Sequence, residues 1–86
     1  MPELSRFHGI KITMYADDHN PPHFHAEADG KEALFNILDG VFMKGSLASR
    51  EARLVLAWYE LHKDELLDNW YNLSNGKPHV KINPLS

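Results

Sequence analysis

Cysteine is absent from this chain of 86 residues, and its absence excludes both disulfide bonds and thiolate metal ligands. A metal site would therefore need histidine and carboxylate ligands. Long hydrophobic runs are absent too, since no apolar segment approaches the ~20 residues that span a bilayer. The first residues also lack the charged and then apolar pattern of a signal sequence. We expect a cytoplasmic protein that makes no contact with membranes.

An excess of positive charge is likewise missing. Nine basic residues stand against twelve acidic ones, the formal net charge is -3, and no run of lysine or arginine forms a phosphate-binding stripe. This balance argues against a DNA-binding protein, although the six histidines would raise the net charge near pH ~6. A composition with 43% hydrophobic and 24% charged residues is that of an ordinary globular chain, so we predict one domain over residues 1–86.

Apolar and polar residues alternate through the first half of the chain with the period of half-buried β-strands. The alternating segments are 10–15, 23–28, 31–38 and 41–45. Asp-Gly pairs at 29–30 and 39–40 are typical of tight hairpin turns. The sequence therefore predicts a small antiparallel β-meander of three to four strands between about residues 9 and 45.

A helical period replaces this alternation at Ser49, which we predict as the N-cap of one long C-terminal helix over about 49–75. Asn75-Gly76 is a typical helix stop. Because such a helix exceeds the average length, its sequence allows a break near 62–64. The tail, 76–86, alternates again and allows a short terminal edge strand. The predicted fold is α+β, with the helix packed on the meander.

The stretch NPPHFHAEADG places two histidines and a glutamate on one face of a predicted strand. His23, His25 and Glu27 project from the same side, roughly 6 to 7 Å apart. Such a set can bind a divalent metal such as Zn²⁺. Alternatively, one imidazole can act as base and the other as acid on a phosphodiester. Because side chains two residues apart point roughly parallel, we expect a third metal ligand from elsewhere in the chain.

Three further histidines and two loop carboxylates are candidates for that ligand. His8 lies just before the first predicted strand, and Asp17 and Asp18 lie beside His19. His19 lies in the preceding loop, and His62 lies within the apolar face of the helix. The candidate catalytic residues are His23 and His25, and the candidate metal ligands are His19, His23, His25, Glu27 and His62. A purely structural role is the alternative, since a His-x-His strand is often a half-buried pair and His62 is typical of a hydrogen-bonded core histidine. These residues leave open whether the chain is an enzyme.

Three segments in combination resemble a bacterial family called domain of unknown function 4160. They are PPHFHAEADG, RLVLAWYELHKDELLDNW and KINPLS, and the resemblance runs over nearly the whole chain. It places the histidine motif of the family on His23 and His25, and His62 in the matching helical pattern. Members have no established activity. Their genes often neighbour a second small family, numbered 2442, in pairs proposed to be toxin-antitoxin-like modules.

Many members stop soon after the long helix, which implies that the tail from Lys77 onward is dispensable for a shared function. Three hypotheses follow. The first is a partner-dependent component of a two-gene toxin-antitoxin-like module that acts on RNA through its histidines. Its partner would be a second small protein encoded nearby, and a homo-oligomer is also compatible with the sequence. The others are a histidine and carboxylate metal-binding domain and a non-catalytic protein-interaction module.

Overall fold

Five antiparallel strands followed by one long helix form the fold in a computed structural model, which describes residues 3–15 and 20–85. The elements are β1 (Glu3–Phe7), β2 (Ile10–Thr13), β3 (His23–Ala28), β4 (Lys31–Asn36), β5 (Phe42–Gly45) and α1 (Ser49–Ser74). The predicted α+β fold is confirmed, with five strands where three to four were expected. Among the described residues, no helix has the length and apolar character needed to cross a bilayer.

The strands follow one another across the sheet in the order β1-β2-β3-β4-β5. Asp29 and Gly30 join β3 to β4 with positive φ values of 51° and 73°, as the predicted two-residue turn requires. His8 and Gly9 join β1 to β2 with φ values of 49° and 78°. The strand before residue 9 was missed because His-Gly is a weaker turn signal than Asp-Gly, although it adopts the same left-handed geometry.

One face of the sheet is apolar and packs under the helix. The ring of Phe24 lies 6.0 Å from that of Trp58 and 6.2 Å from that of Tyr59, both in the first half of α1. Phe35, the β4 partner of Phe24, stacks on it at 5.6 Å. The opposite face carries His25, which is paired with residues of β2 and β4. The core therefore lies between the Phe24 face and α1.

The ends of α1 follow the predictions with one correction. The N-cap is Ala48 and not Ser49, because the Ala48 carbonyl accepts the first helical hydrogen bond, from the N–H of Ala52 at 2.9 Å. Alanine has no polar side chain, so the helix begins without a side-chain cap. The predicted break is confirmed at His62, where φ is -128° and ψ is 20°. The predicted stop is confirmed as well: Asn75 is the C-cap and Gly76 has a φ of 74°.

The described part of the tail, residues 77–85, forms no strand, so the edge strand that the sequence allowed is not observed. A single backbone hydrogen bond joins it to β1, from the N–H of Ile82 to the carbonyl of Leu4 at 2.8 Å. Side chains of α1 form hydrogen bonds with other backbone groups of the tail. Trp58 Nε1 donates to the Asn83 carbonyl at 2.9 Å, and the Asn69 amide bonds both backbone groups of Val80. These groups are therefore not available for a strand ladder.

Candidate functional site

His23 and His25, the two predicted catalytic residues, lie side by side at the start of β3. The rings of His23 and His25 are 5.4 Å apart between centroids and inclined by 52°. His23 is only 7% exposed, and the side chain of His25 is 12% exposed. This level of burial removes both imidazoles from most of the surrounding water, although they lie on the sheet face opposite Phe24.

Aromatic rings border the histidine pair on two sides. Tyr15, just beyond β2, meets the ring of His25 edge-on, with the centroids 4.7 Å apart. Trp70, in the part of α1 that follows the bend at His62, lies 5.3 Å from the ring of His23. The sequence pattern did not associate either aromatic residue with the histidines, because the contacts join elements that are far apart in the chain.

The hydrogen bond of His23 identifies its proton-bearing nitrogen. Nδ1 of His23 lies 2.8 Å from the carbonyl oxygen of Pro21. Since a carbonyl oxygen only accepts, Nδ1 is the donor, and in the neutral ring the lone pair is therefore on Nε2. A ring held in this way presents Nε2 as the atom that can accept a proton or bind a metal.

A carboxylate that the sequence pattern did not identify, that of Glu32, lies beside His25. Oε2 of Glu32 is 3.3 Å from Nδ1 of His25, within ion-pair distance when the ring is protonated. Glu32 occupies β4 directly opposite Glu27, so it is a diagonal neighbour of His25. The Asp-Gly turn was the signal that could have found it, because a two-residue turn determines this register.

Glu27, one of the predicted metal ligands, has a different partner. Its Oε1 lies 3.4 Å from Nζ of Lys11 on the neighbouring strand, and nearly half of its side chain is exposed. The carboxylate is on the same sheet face as the histidine pair, as the strand period predicted. Its described ion pair, however, is with lysine.

His62 is not brought to the pair. Its ring packs on Trp58 at 5.4 Å, and its Nδ1 lies 2.6 Å from Oε1 of Glu65 one turn further along α1. His19 lies outside the described residues. Within residues 3–15 and 20–85, no group of three or more histidine, aspartate or glutamate residues is placed to hold a metal ion.

Comparison with known proteins gives one match. Residues 9–71 match the family described as Domain of unknown function (DUF4160). No curated protein and no solved structure shows a significant match. The matched span contains the histidine pair, Tyr15, Glu32 and Trp70, whereas β1 and the tail lie outside it.

Proposed function

The chain belongs to the family described as Domain of unknown function (DUF4160), and we propose that it is the histidine-bearing, partner-dependent component of a two-gene toxin-antitoxin-like module that acts on RNA. The observation that supports this proposal is the pair of buried imidazoles, His23 and His25, with ring centroids 5.4 Å apart. The gene pairing is what the family resemblance implies for the partner, which is a second small protein encoded nearby.

Two imidazoles at this separation can divide the work of phosphodiester cleavage. Nε2 of His23 would accept the proton of a ribose 2′-hydroxyl, because Nδ1 is already committed to the Pro21 carbonyl. In its protonated form His25, whose Nδ1 lies 3.3 Å from Oε2 of Glu32, would donate a proton to the leaving oxygen. The 2′-oxygen then bonds to phosphorus as the bond to the leaving oxygen breaks.

The charges near the pair explain why a partner is needed. RNA binding depends on cationic groups that neutralise phosphates. On the histidine-bearing face, Lys11 is already paired with Glu27, and Glu32 adds a further negative charge. Lys44 projects from the same face but belongs to the edge strand β5, two strands away from His25. The chain by itself is therefore poorly equipped to hold a phosphate. We infer that the second protein supplies the cationic contacts, so RNA cleavage should be weak for the chain alone and stronger for the complex.

Co-expression with the product of the neighbouring gene tests this function. We expect a stable complex that cleaves RNA and arrests growth, and loss of both effects in His23→Gln and His25→Gln, which keep a polar side chain of similar size. His79→Gln is the matched control, because it makes the same substitution in the tail, outside the pair. Circular dichroism would establish that each variant still folds. Full cleavage by both glutamine variants would refute the catalytic role, and a complex without cleavage would identify a non-catalytic interaction module.

A metal-binding domain is the second candidate, and the carboxylates near the pair favour it. Glu27 and Glu32 share the sheet face of His25, and negative charge there attracts a cation. Zn²⁺ is the natural ion for imidazole and carboxylate ligands. The test is metal analysis of protein purified without a histidine tag, followed by melting with added Zn²⁺. A rise in melting temperature that disappears in His25→Gln supports the site. An unchanged melting temperature for the wild type contradicts it.

A further inference from the structure

Large apolar side chains are exposed along the free edge of the sheet. We call this region the β5 surface. Its members are between 39 and 57% exposed and are Leu38, Val41, Phe42, Met43 and Leu56. Two of them, Phe42 and Leu56, line a groove of about 380 Å³ between β5 and the first half of α1, whose walls also include Phe35. The groove lies at the β5 end of the sheet on the Phe35 face, which is the face opposite His25.

The size of the β5 surface is that of one side of a protein interface. Five large side chains, each about half exposed, present on the order of 400 Å² of apolar area, as much as the largest patch of a typical monomer. A standard interface covers about 800 Å² on each partner, of which somewhat more than half is apolar. The β5 surface therefore offers about the apolar area that a stable association requires.

Extension of the sheet by a partner strand does not suit this edge. β5 has only four residues, and its register skips Met43, so the strand contains a bulge. Lys44 adds a charge to the exposed edge. Short length, a bulge and a lysine are the features by which edge strands avoid pairing with other strands. The occupant must therefore contact side chains of the β5 surface and the groove.

Charges of opposite sign lie at the two ends of the β5 surface. Asp39 and Glu60 mark one end. Oδ1 of Asp39 accepts from the N–H of Val41 at 2.9 Å, and Glu60 directly follows Tyr59, whose hydroxyl donates to the Ile37 carbonyl. Arg53 and Lys44 mark the other end, next to groove residues Ala52 and Gly45 in sequence. Lys44 pairs with Leu34 and therefore projects from the sheet face that carries His25, at the exposed edge.

Among the residues described, Lys44, Arg53 and Glu60 form no ion pair. The described salt bridges join other residues, and Arg50, also near the basic end, is already paired with Glu51 at 3.0 Å. Within the described part of the chain, the β5 surface therefore has an unpaired negative charge at one end and unpaired positive charges at the other, and these can form ion pairs with a partner.

A two-fold axis through the middle of β5 makes this pattern complementary to itself. In such a dimer the two β5 strands run antiparallel, so the end with Asp39 and Glu60 meets the end with Lys44 and Arg53 of the second copy. We propose that a second copy of this chain covers the β5 surface in a symmetric dimer. The apolar side chains pack across the axis, and the charges at the ends set the orientation. A dimer of this kind neither requires nor excludes the RNA chemistry proposed above.

Sedimentation equilibrium of the full chain without a tag measures the association. We expect the wild type to have the mass of two chains at a concentration of about 100 µM. Val41→Glu should weaken the dimer at least about tenfold, because it places a carboxylate in the apolar centre. Leu61→Glu is the matched control and should not change the dissociation constant, since Leu61 is 69% exposed but lies outside the β5 surface.

Charge reversal tests the orientation. Arg53→Glu should weaken the dimer and reduce its dependence on salt, and Glu60→Lys added to Arg53→Glu should restore both. A wild type that stays monomeric overturns the proposal, even if it binds the neighbouring gene product through the same surface. A dimer that resists Val41→Glu, or one that Leu61→Glu weakens equally, also overturns it.

Discussion

Replacement of Ile82 by alanine is expected to destabilise the protein, although Ile82 belongs to a tail that lies outside the family match. Ile82 is 4% exposed and is part of the hydrophobic core. Its N–H donates to the Leu4 carbonyl, and the next residue, Asn83, accepts the indole N–H of the fully buried Trp58. The tail thus completes the core where β1 and α1 meet.

The magnitude follows from the atoms removed. Ile82→Ala deletes the equivalent of three buried methyl or methylene groups, at about 0.8 kcal/mol each, or roughly 2.4 kcal/mol in total. Ile82→Val deletes one, or about 0.8 kcal/mol. A residual cavity would add to the first value. In a domain of this size, 2.4 kcal/mol corresponds to a fall in melting temperature of roughly 10 to 19 °C.

Urea unfolding at a fixed protein concentration measures both variants, because any dimer would otherwise make stability depend on concentration. Tryptophan fluorescence, which reports on Trp58 and Trp70, and circular dichroism should give the same transition if unfolding is two-state. Val80→Ala is the control, since Val80 is 63% exposed and only its backbone bonds Asn69. We expect that change to stay within about 0.5 kcal/mol.

The losses of unfolding free energy in Ile82→Ala, Ile82→Val and Val80→Ala are to be compared with one another. A loss near 0.5 kcal/mol or less for Ile82→Ala, equal to that of Val80→Ala, would mean that the tail does not contribute to the core. A graded loss from valine to alanine would establish instead that the tail is structurally required in this chain, whatever its role in other members of the family.

Two further predictions concern backbone conformation and pH. Gly45→Ala should cost more than about 2 kcal/mol in urea unfolding, because Gly45 has a φ of 93° and a Cβ there would overlap the Glu32 carbonyl oxygen. Gly30→Ala, at a φ of 73° with open space around it, should cost only about 1 kcal/mol, and equal losses would refute the overlap. Burial raises the pKa of the Tyr59 phenol above its ordinary value of 10.0. Its stabilising effect is therefore complete below that pH and is lost as the pH rises through the folded-state pKa. Tyr59→Phe should flatten this alkaline loss in unfolding measurements, and an unchanged slope would contradict it.

Local sequence signals predicted much of the fold. The Asp-Gly pair defined the hairpin of β3 and β4, and the predicted limits of β3 agree with the structure. The helical period and Asn75-Gly76 predicted α1 to within one residue of its end, and the break at His62 lies where the sequence allowed it. These features depend on neighbours within a few residues, so a single sequence contains enough information to find them.

The histidine pair was only partly accessible to the same reasoning. The strand period correctly placed His23 and His25 on one face, because alternation is a property of the strand itself. The strand period could not predict the contact between His23 and Trp70, because Trp70 belongs to the helix, far from β3 in sequence. It also suggested Glu27 as a neighbour of His25, whereas the carboxylate at 3.3 Å is that of Glu32.

By itself, the sequence determined four of the five strands, β2 to β5, the positions of the two Asp-Gly turns and which face of β3 carries the imidazoles. Tertiary structure alone decided that Trp70 contacts His23, that the tail bonds α1 and β1, and that β5 is left as an open edge. The physical reason is that hydrogen-bonded turns and side-chain periods are short-range properties of the chain. Contacts between residues dozens of positions apart depend instead on how the helix and the sheet pack to bury their apolar faces.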